Sequence, residues 1–339
     1  MAEDTDKKAA TEDVKLKISA ERVGRFSCTR CKASIEAEEH EIFSKVPCPA
    51  CSATQRVPGQ MGTFLIYSVL GRGAISVVFK AIDTLNGREV ALKVSHRIGR
   101  KPLEFYDDYL GEAKATTFLN HPNIVRIYDY GFANRYPYIA MEIVEGGTLK
   151  DLIARNLWIS EKRVMKIALD IAEGLHVAHL AGIVHGDMKP ANVLNHRDQV
   201  YKIADFGNWN MKGKQENVKI FGTPYYIAPE KVQHKVEDHR SDMYSLGATL
   251  WHSLAGYPPH DGKNVKEVVQ AHLKKEVPDL QHANITISNG TARVVKTMMA
   301  ADPEDRYQKY PDLIAAIKQV QAEEQLKETH PGDTPVKET

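Results

Sequence analysis

The sequence predicts an α+β chain built as two lobes, β-rich first and helical second, with a small cysteine module ahead of both. Apolar runs of strand length (FLIYSVL, SVVFKAI, EVALKV, IVRIYDYG, YIAMEIV) crowd the stretch from Thr63 to about Glu142. After Gly147 the spacing changes: Val164, Ile167, Ile171, Leu175 and Ala178 recur close to the 3.6-residue period of a helix. All four cysteines lie between positions 28 and 51.

In chain order, residues 1–20 are polar and without period and read as a disordered tail. Residues 21–60 form the cysteine module, residues 63–322 one large domain, and residues 323–339 a second polar, proline-bearing tail. The large domain's β-type runs are broken by one helical stretch around Tyr109 to Leu119. At 339 residues the length suits one large domain with a small attachment. With 45 basic and 44 acidic side chains the net charge is +1, which gives no reason to expect a nucleic-acid or membrane partner. Met1 to Ala20 lacks the apolar core of a secretory signal, and no run of apolar residues is long enough to span a bilayer. The chain therefore reads as cytoplasmic, with no membrane segment.

Cys28-Thr-Arg-Cys31 and Cys48-Pro-Ala-Cys51 are two C-x-x-C pairs, each able to offer two thiolates from one tight turn. Four soft sulfur donors with no open position predict a structural Zn²⁺ site, a zinc-ribbon-like module; iron in a rubredoxin-like site uses the same knuckles and stays open. The module interleaves Arg22, Arg25, Arg30, Lys32, Lys45 and Arg56 with glutamates and has few aromatics, so it does not read as a nucleic-acid binder. The ion would replace a hydrophobic core too small to hold so short a segment together.

Leu70-Gly71-Arg72-Gly73-Ala74-Ile75-Ser76-Val77-Val78 lies between two strand-like runs and fits G-x-G-x-x-G-x-V with Ser76 in the third glycine position. Small residues in a hairpin let backbone amides approach nucleotide phosphates, and the hairpin setting separates this loop from one that opens a helix. Lys93 closes the strand Val90-Ala91-Leu92-Lys93. From here the sequence resembles the protein kinase family, whose lysine on this strand contacts the α- and β-phosphates and is held by a helix glutamate. The resemblance puts Glu112 in that role and implies a bilobal protein kinase fold.

His185-Gly186-Asp187-Met188-Lys189-Pro190-Ala191-Asn192, followed by Asp205-Phe206-Gly207, supplies the charges that phosphoryl transfer needs. The resemblance implies that Asp187 takes the acceptor hydroxyl, Lys189 meets the γ-phosphate, and Asn192 and Asp205 hold Mg²⁺. It also implies that Met141, Glu142 and Val144 form the hinge against adenine, with Val78, Ala91 and Leu194 sandwiching the ring. Leu70, Gly71, Arg72, Gly73 and Ser76 cover the phosphates of ATP. Glu230 and Arg306 are expected as a buried ion pair, and Asp242 as the anchor of the catalytic loop. Lys189 and the segment Gly222-Thr223-Pro224-Tyr225-Tyr226 resemble serine/threonine kinases of the eukaryotic type found in bacteria, so proteins with Ser/Thr acceptors are the expected substrates.

Two departures from the family pattern stand out. Gly186 replaces the arginine that precedes the catalytic aspartate and pairs with a phosphate on the activation loop, and residues 208–222 contain no Ser, Thr or Tyr. They predict activity that is not switched by phosphorylation of that loop. The alternative from another class is a pseudokinase scaffold that binds nucleotide and partners; the retained Lys93, Glu112, Asp187, Asn192 and Asp205 speak against it.

Overall fold

A computed structural model of the chain describes residues 20–73, 75–95, 110–111, 113–156, 158–206, 224–233, 235, 237–274 and 276–329. The chain divides into two compact units, residues 1–110 with 127–143, and residues 111–126 with 144–339. Glu112, the tail residues 1–19 and 330–339, and the loop 208–222 lie outside the described residues.

The first unit begins with short strands: β1 (Glu21–Arg22), β2 (Arg25–Ser27), β3 (Ser34–Glu36), β4 (Lys45–Pro47), β5 (Thr54–Arg56) and β6 (Gly59–Met61). Longer ones follow: β7 (Phe64–Arg72), β8 (Ser76–Asp83), β9 (Arg88–Ser95), β10 (Ile127–Ala133) and β11 (Tyr136–Met141). β2 with β3 and β4 with β5 form two separate hairpins. The remaining strands make one antiparallel seven-stranded sheet in the order β1-β6-β7-β8-β9-β11-β10.

The expected boundary near residue 60 is not a linker. β1 and β6 belong to the large sheet, so the cysteine hairpins are inserted between two of its strands. A single core explains this continuity. Val77, Phe79, Ala81, Val90, Leu92 and Val94 alternate onto one face of β8 and β9, where Met61, Phe64 and Ile66 join them. Phe43, from between the hairpins, stacks on the fully buried Phe79 with ring centroids 6.4 Å apart. Gly59 is needed for this fit, because a Cβ there would lie 2.8 Å from that of Ala20 and 3.1 Å from Ile42 Cγ2.

The second unit holds the short hairpin β12 (Val193–Asn195) and β13 (Tyr201–Ile203). Its helices include α1 (Leu149–Arg155), α2 (Glu161–Leu180), α3 (Pro229–Val232), α4 (His239–Ala255), α5 (Val265–Lys274), α6 (Leu280–Ala283), α7 (Asn289–Met298) and α8 (Tyr310–Thr329). The five apolar positions that predicted α2 are all buried in it. Thr148 caps α1 reciprocally with Asp151, each satisfying the other's backbone amide.

Two expectations change. Residues 111–126, read with the β-rich lobe, group with the helical unit, because Val125 N–H donates to Ile203 and Ile203 N–H donates to Asn123. The expected tail from 323 starts late, because α8 carries through Thr329; residues 323–329 (EEQLKET) contain no helix breaker before Pro331. No helix among the described residues is long and apolar enough to cross a membrane.

Met61 tests the shared core. Met61→Ala opens a void under β7 and is expected to lower the unfolding free energy by about 2–5 kcal/mol in denaturant titration; an unchanged midpoint would mean that β6 is not part of the core.

Candidate active site and cysteine centre

In the first unit, strand register sets the site. Val78 lies opposite Lys93 across β8–β9, Ile139 lies opposite Lys93 across β9–β11, and Met141 lies opposite Ala91. Residues directly opposite each other, and residues two apart along a strand, share a sheet face. Gly71, Val78, Ala91, Lys93 and Met141 therefore occupy one face, and the buried core lies on the other. The turn from β7 to β8 closes with Gly73 N–H donating to Ser76 C=O at 2.8 Å. Leu70 and Arg72 flank it with exposed side chains, and Glu142 follows Met141 directly.

In the second unit, Val144 leads into Gly146 and Gly147, which are laced to β12. Gly146 N–H donates to Asn195 C=O, and Asn195 N–H donates to Gly147 C=O, each at 2.9 Å. A Cβ on Gly146 would sit 2.4 Å from the Asn195 oxygen, so only glycine allows this lacing. Leu194 bridges Thr148 in the same register.

The β12–β13 hairpin sets Asn192 just before its first strand and Asp205 just after its second, tied by Ala204 N–H to Asn192 C=O at 2.9 Å. Asp205 has left-handed backbone, φ +55°. Asp187 is held on several sides: Lys189 Nζ lies 2.6 Å from its Oδ2, and Asn192 Nδ2 donates to its C=O at 2.8 Å. Its own N–H donates to His185 Nδ1 at 3.1 Å, which leaves the proton on His185 Nε2 to meet the Ala204 carbonyl, also at 3.1 Å. The roles of the His185 ring carry no mark in the sequence.

Asp242, on α4, accepts the N–H groups of His185 at 2.7 Å and Gly186 at 2.8 Å. Burial pushes its carboxyl above the usual range, while His185, these amides and Lys231 pull it back. Nearby, Arg306 grips Glu230 with two parallel bonds of 2.7 and 2.8 Å, and Ser241 Oγ adds a third at 2.6 Å. Arg306 also donates to the carbonyls of Ala300, Ala301 and Arg240, with its guanidinium 4.9 Å from the centroid of the Tyr244 ring. Burial works to raise the Glu230 pKa, but Arg306 and Ser241 outweigh it and hold the carboxyl below its ordinary 4.5.

The four cysteine sulfurs lie within 4.8 Å of one another, with Cys28–Cys51 at 3.7 Å and Cys31–Cys48 at 3.6 Å. Four sulfurs placed about 2.3 Å from a tetrahedral centre stand about 3.8 Å apart, so the arrangement fits one ion. The knuckles match: Lys32 N–H donates to Cys28 C=O and Ser52 N–H to Cys48 C=O, with Lys32 and Ser52 both left-handed. Gln55, unremarked in the sequence, accepts both the amide and the hydroxyl of Thr29 and so ties the two hairpins together. Backbone hydrogen bonds at Cys31 and Arg30 draw the Cys28 thiol down to about 6. At Cys31 the Ala33 backbone pulls the same way, but the Cys51 sulfur, burial, and the Cys48 and Cys28 sulfurs carry the thiol up to about 12. A cation at the centre removes that conflict.

Residues 64–329 match the family model for the protein kinase domain. The chain is 35% identical over 251 residues to the serine/threonine-protein kinase PknB of Mycolicibacterium smegmatis, covering 71% of this chain and 40% of that one. It is 33% identical over 260 residues to PrkC of Bacillus subtilis (76% and 40%), also a serine/threonine-protein kinase. To PknB of Mycobacterium tuberculosis it is 34% identical over 263 residues (74% and 42%). The matched region spans about two-fifths of the length of these relatives.

Breaking the Glu230–Arg306 pair has a defined pH signature. Because Glu230 titrates lower in the fold than its ordinary 4.5, its contribution is present above 4.5 and is lost as pH falls below it. Arg306→Leu strands a buried carboxylate and is expected to cost about 3–5 kcal/mol at neutral pH. The gap to wild type should narrow as the pH is lowered below 4.5, read by denaturant unfolding across pH; a constant gap would contradict the assignment.

Proposed function

The chain belongs to the protein kinase domain family, and from that premise we propose that it transfers the γ-phosphoryl group of ATP to serine or threonine hydroxyls of proteins. The observation that carries the reading is the set of Asp187, Lys189 and Asn192 with Asp205 at the other end of the same hairpin. The relatives' description as serine/threonine-protein kinases supports it.

Asp187 is the group that accepts the proton of the incoming hydroxyl and orients its oxygen. Lys189 neutralises charge on the transferred phosphoryl, and Lys93 does the same for the α- and β-phosphates. By the family pattern the backbone amides of the turn between β7 and β8 are assigned to the phosphates, and Val78, Ala91 and Met141 in the first unit and Leu194 in the second are the residues assigned to adenine. Asn192 and Asp205 are the oxygen donors that would hold Mg²⁺, whose charge would offset that of the phosphates. Control by phosphate within residues 208–222 is excluded from this reading, since no hydroxyl is present there and Gly186 offers no cation to receive one.

For the cysteine centre we infer zinc in a structural role: four thiols and no open position suit it, and the module's small core of Phe26, Ile35, Ala37, Val46 and Val57 needs a crosslink. Since β1 and β6 edge the large sheet, the ion braces the sheet that carries Lys93.

Incubation with labelled ATP, Mg²⁺ and a generic acceptor protein should give phosphoserine or phosphothreonine that disappears in Asp205→Ala and forms at an unchanged rate when the enzyme has first been treated with phosphatase and the phosphatase removed. Nucleotide binding without transfer would favour a scaffold instead. Metal analysis is expected to find about one zinc per chain, and Cys48→Ser or a strong chelator should lower the melting temperature. An iron-coloured or metal-free, equally stable chain would reject this assignment.

A further inference from the structure

The peptide between Gly186 and Asp187 decides which way the catalytic carboxylate points, and each of its polar ends has a partner. The N–H, that of Asp187, donates to His185 Nδ1. The C=O, that of Gly186, accepts from Lys231 Nζ at 2.7 Å. The preceding amide is held by Asp242, and the following carbonyl, that of Asp187, by Asn192. Three of these four anchors sit in motifs that the sequence marks out; Lys231 does not.

Lys231 is itself pre-positioned. It follows Glu230 on α3, and the bidentate Arg306 pair fixes that turn. Its ammonium is 3.0 Å from Glu237 Oε2, with side-chain exposures of 11% for the lysine and 27% for the glutamate. A cation this covered is retained only when paired, and its two partners supply that pairing. Glu237 directly precedes Asp238, whose side chain caps α4, so the carboxylate is anchored as well. Gly186 has φ +70°, a conformation that glycine adopts without strain and that a side chain adopts at a cost.

From this geometry we infer that Lys231, locked by Glu237, is a positioning residue for Asp187. It is a built-in cation–carboxylate brace that holds the catalytic loop where no arginine and no loop phosphate are present to do so. The inference rests on the kinase reading above. It deepens that reading by naming the device that makes the loop independent of phosphorylation: a carboxylate is always there, whereas a phosphate must be added.

The test uses the full chain with Mg²⁺-ATP and a generic acceptor protein. Lys231→Met should lower kcat about tenfold or more while the KM for ATP stays within about threefold, because the lost hydrogen bond orients the base and does not hold nucleotide. Lys231→Arg should recover most of kcat, and Glu237→Gln should lower it about threefold. In parallel, hydrogen exchange of a peptide covering residues 183–188 should quicken about tenfold in Lys231→Met and stay near wild type in Lys231→Arg. An unchanged kcat, or a loss that Lys231→Arg does not recover, overturns the brace. If wild type transfers no phosphate, the kinase reading fails and exchange alone decides: quickening upholds the brace, and unchanged exchange overturns it. Should Lys231→Met not fold, Glu237→Gln carries both measurements, since it keeps the amine and removes only its lock.

Discussion

The helical unit is organised around one buried carboxylate. Asp242 sits inside α4, a helix whose length is almost entirely buried, and reaches two successive amides of the loop that carries Asp187. A carboxylate can be kept there only if its oxygens are hydrogen-bonded; here each accepts one backbone N–H, and backbone N–H groups are the partners least able to move away. The loop is therefore not free to choose its conformation: its backbone completes the solvation of an acid that the core has desolvated. Lys231, His185 and Asn192 then fix the peptide planes that Asp242 leaves free.

Glu230 and Arg306 do for α3 what Asp242 does for the loop. Their pair brings together segments 76 residues apart in sequence, and the arginine spends its remaining donors on three carbonyls. In a low-dielectric setting such a pair adds little net stability against an apolar alternative, but breaking it is costly. Its value is specificity of arrangement. It fixes the start of α3, and Lys231 is fixed with it.

Much of this was legible in the sequence because the chemistry is local. Asp187 to Asn192 and Asp205 to Gly207 are short motifs whose order is enough to recognise, and the resemblance they carry reached Val78, Ala91 and Lys93, which the strand register then places on one face. The buried partners Glu230, Arg306 and Asp242 were reached by resemblance alone. Lys231 was not reached, because a lysine inside APEK has no local mark and its carbonyl partner lies 45 residues away. The pairing of β1 and β6 into the large sheet left no mark in the sequence: they are two and three residues long, too short to show a period, and β6 is held by Met61 packing with Phe64 and Ile66. Likewise residues 323–329 hold a single apolar residue, Leu326, too little to show a helical period, so composition suggested a tail where helix propensity and an uninterrupted backbone continue α8.

The insertion of the cysteine hairpins between β1 and β6 also has a consequence for the chain's ends at the sheet. The segment leaves after β1 and returns at β6, so its two ends are held side by side, with Glu21 opposite Gln60 and Arg22 opposite Gly59. Two residues are then enough to pass from β6 into β7, where Met61 lies opposite Phe64. At this end the sheet presents β1, a strand of two exposed, charged residues, and so short and charged an edge resists pairing with a neighbouring chain.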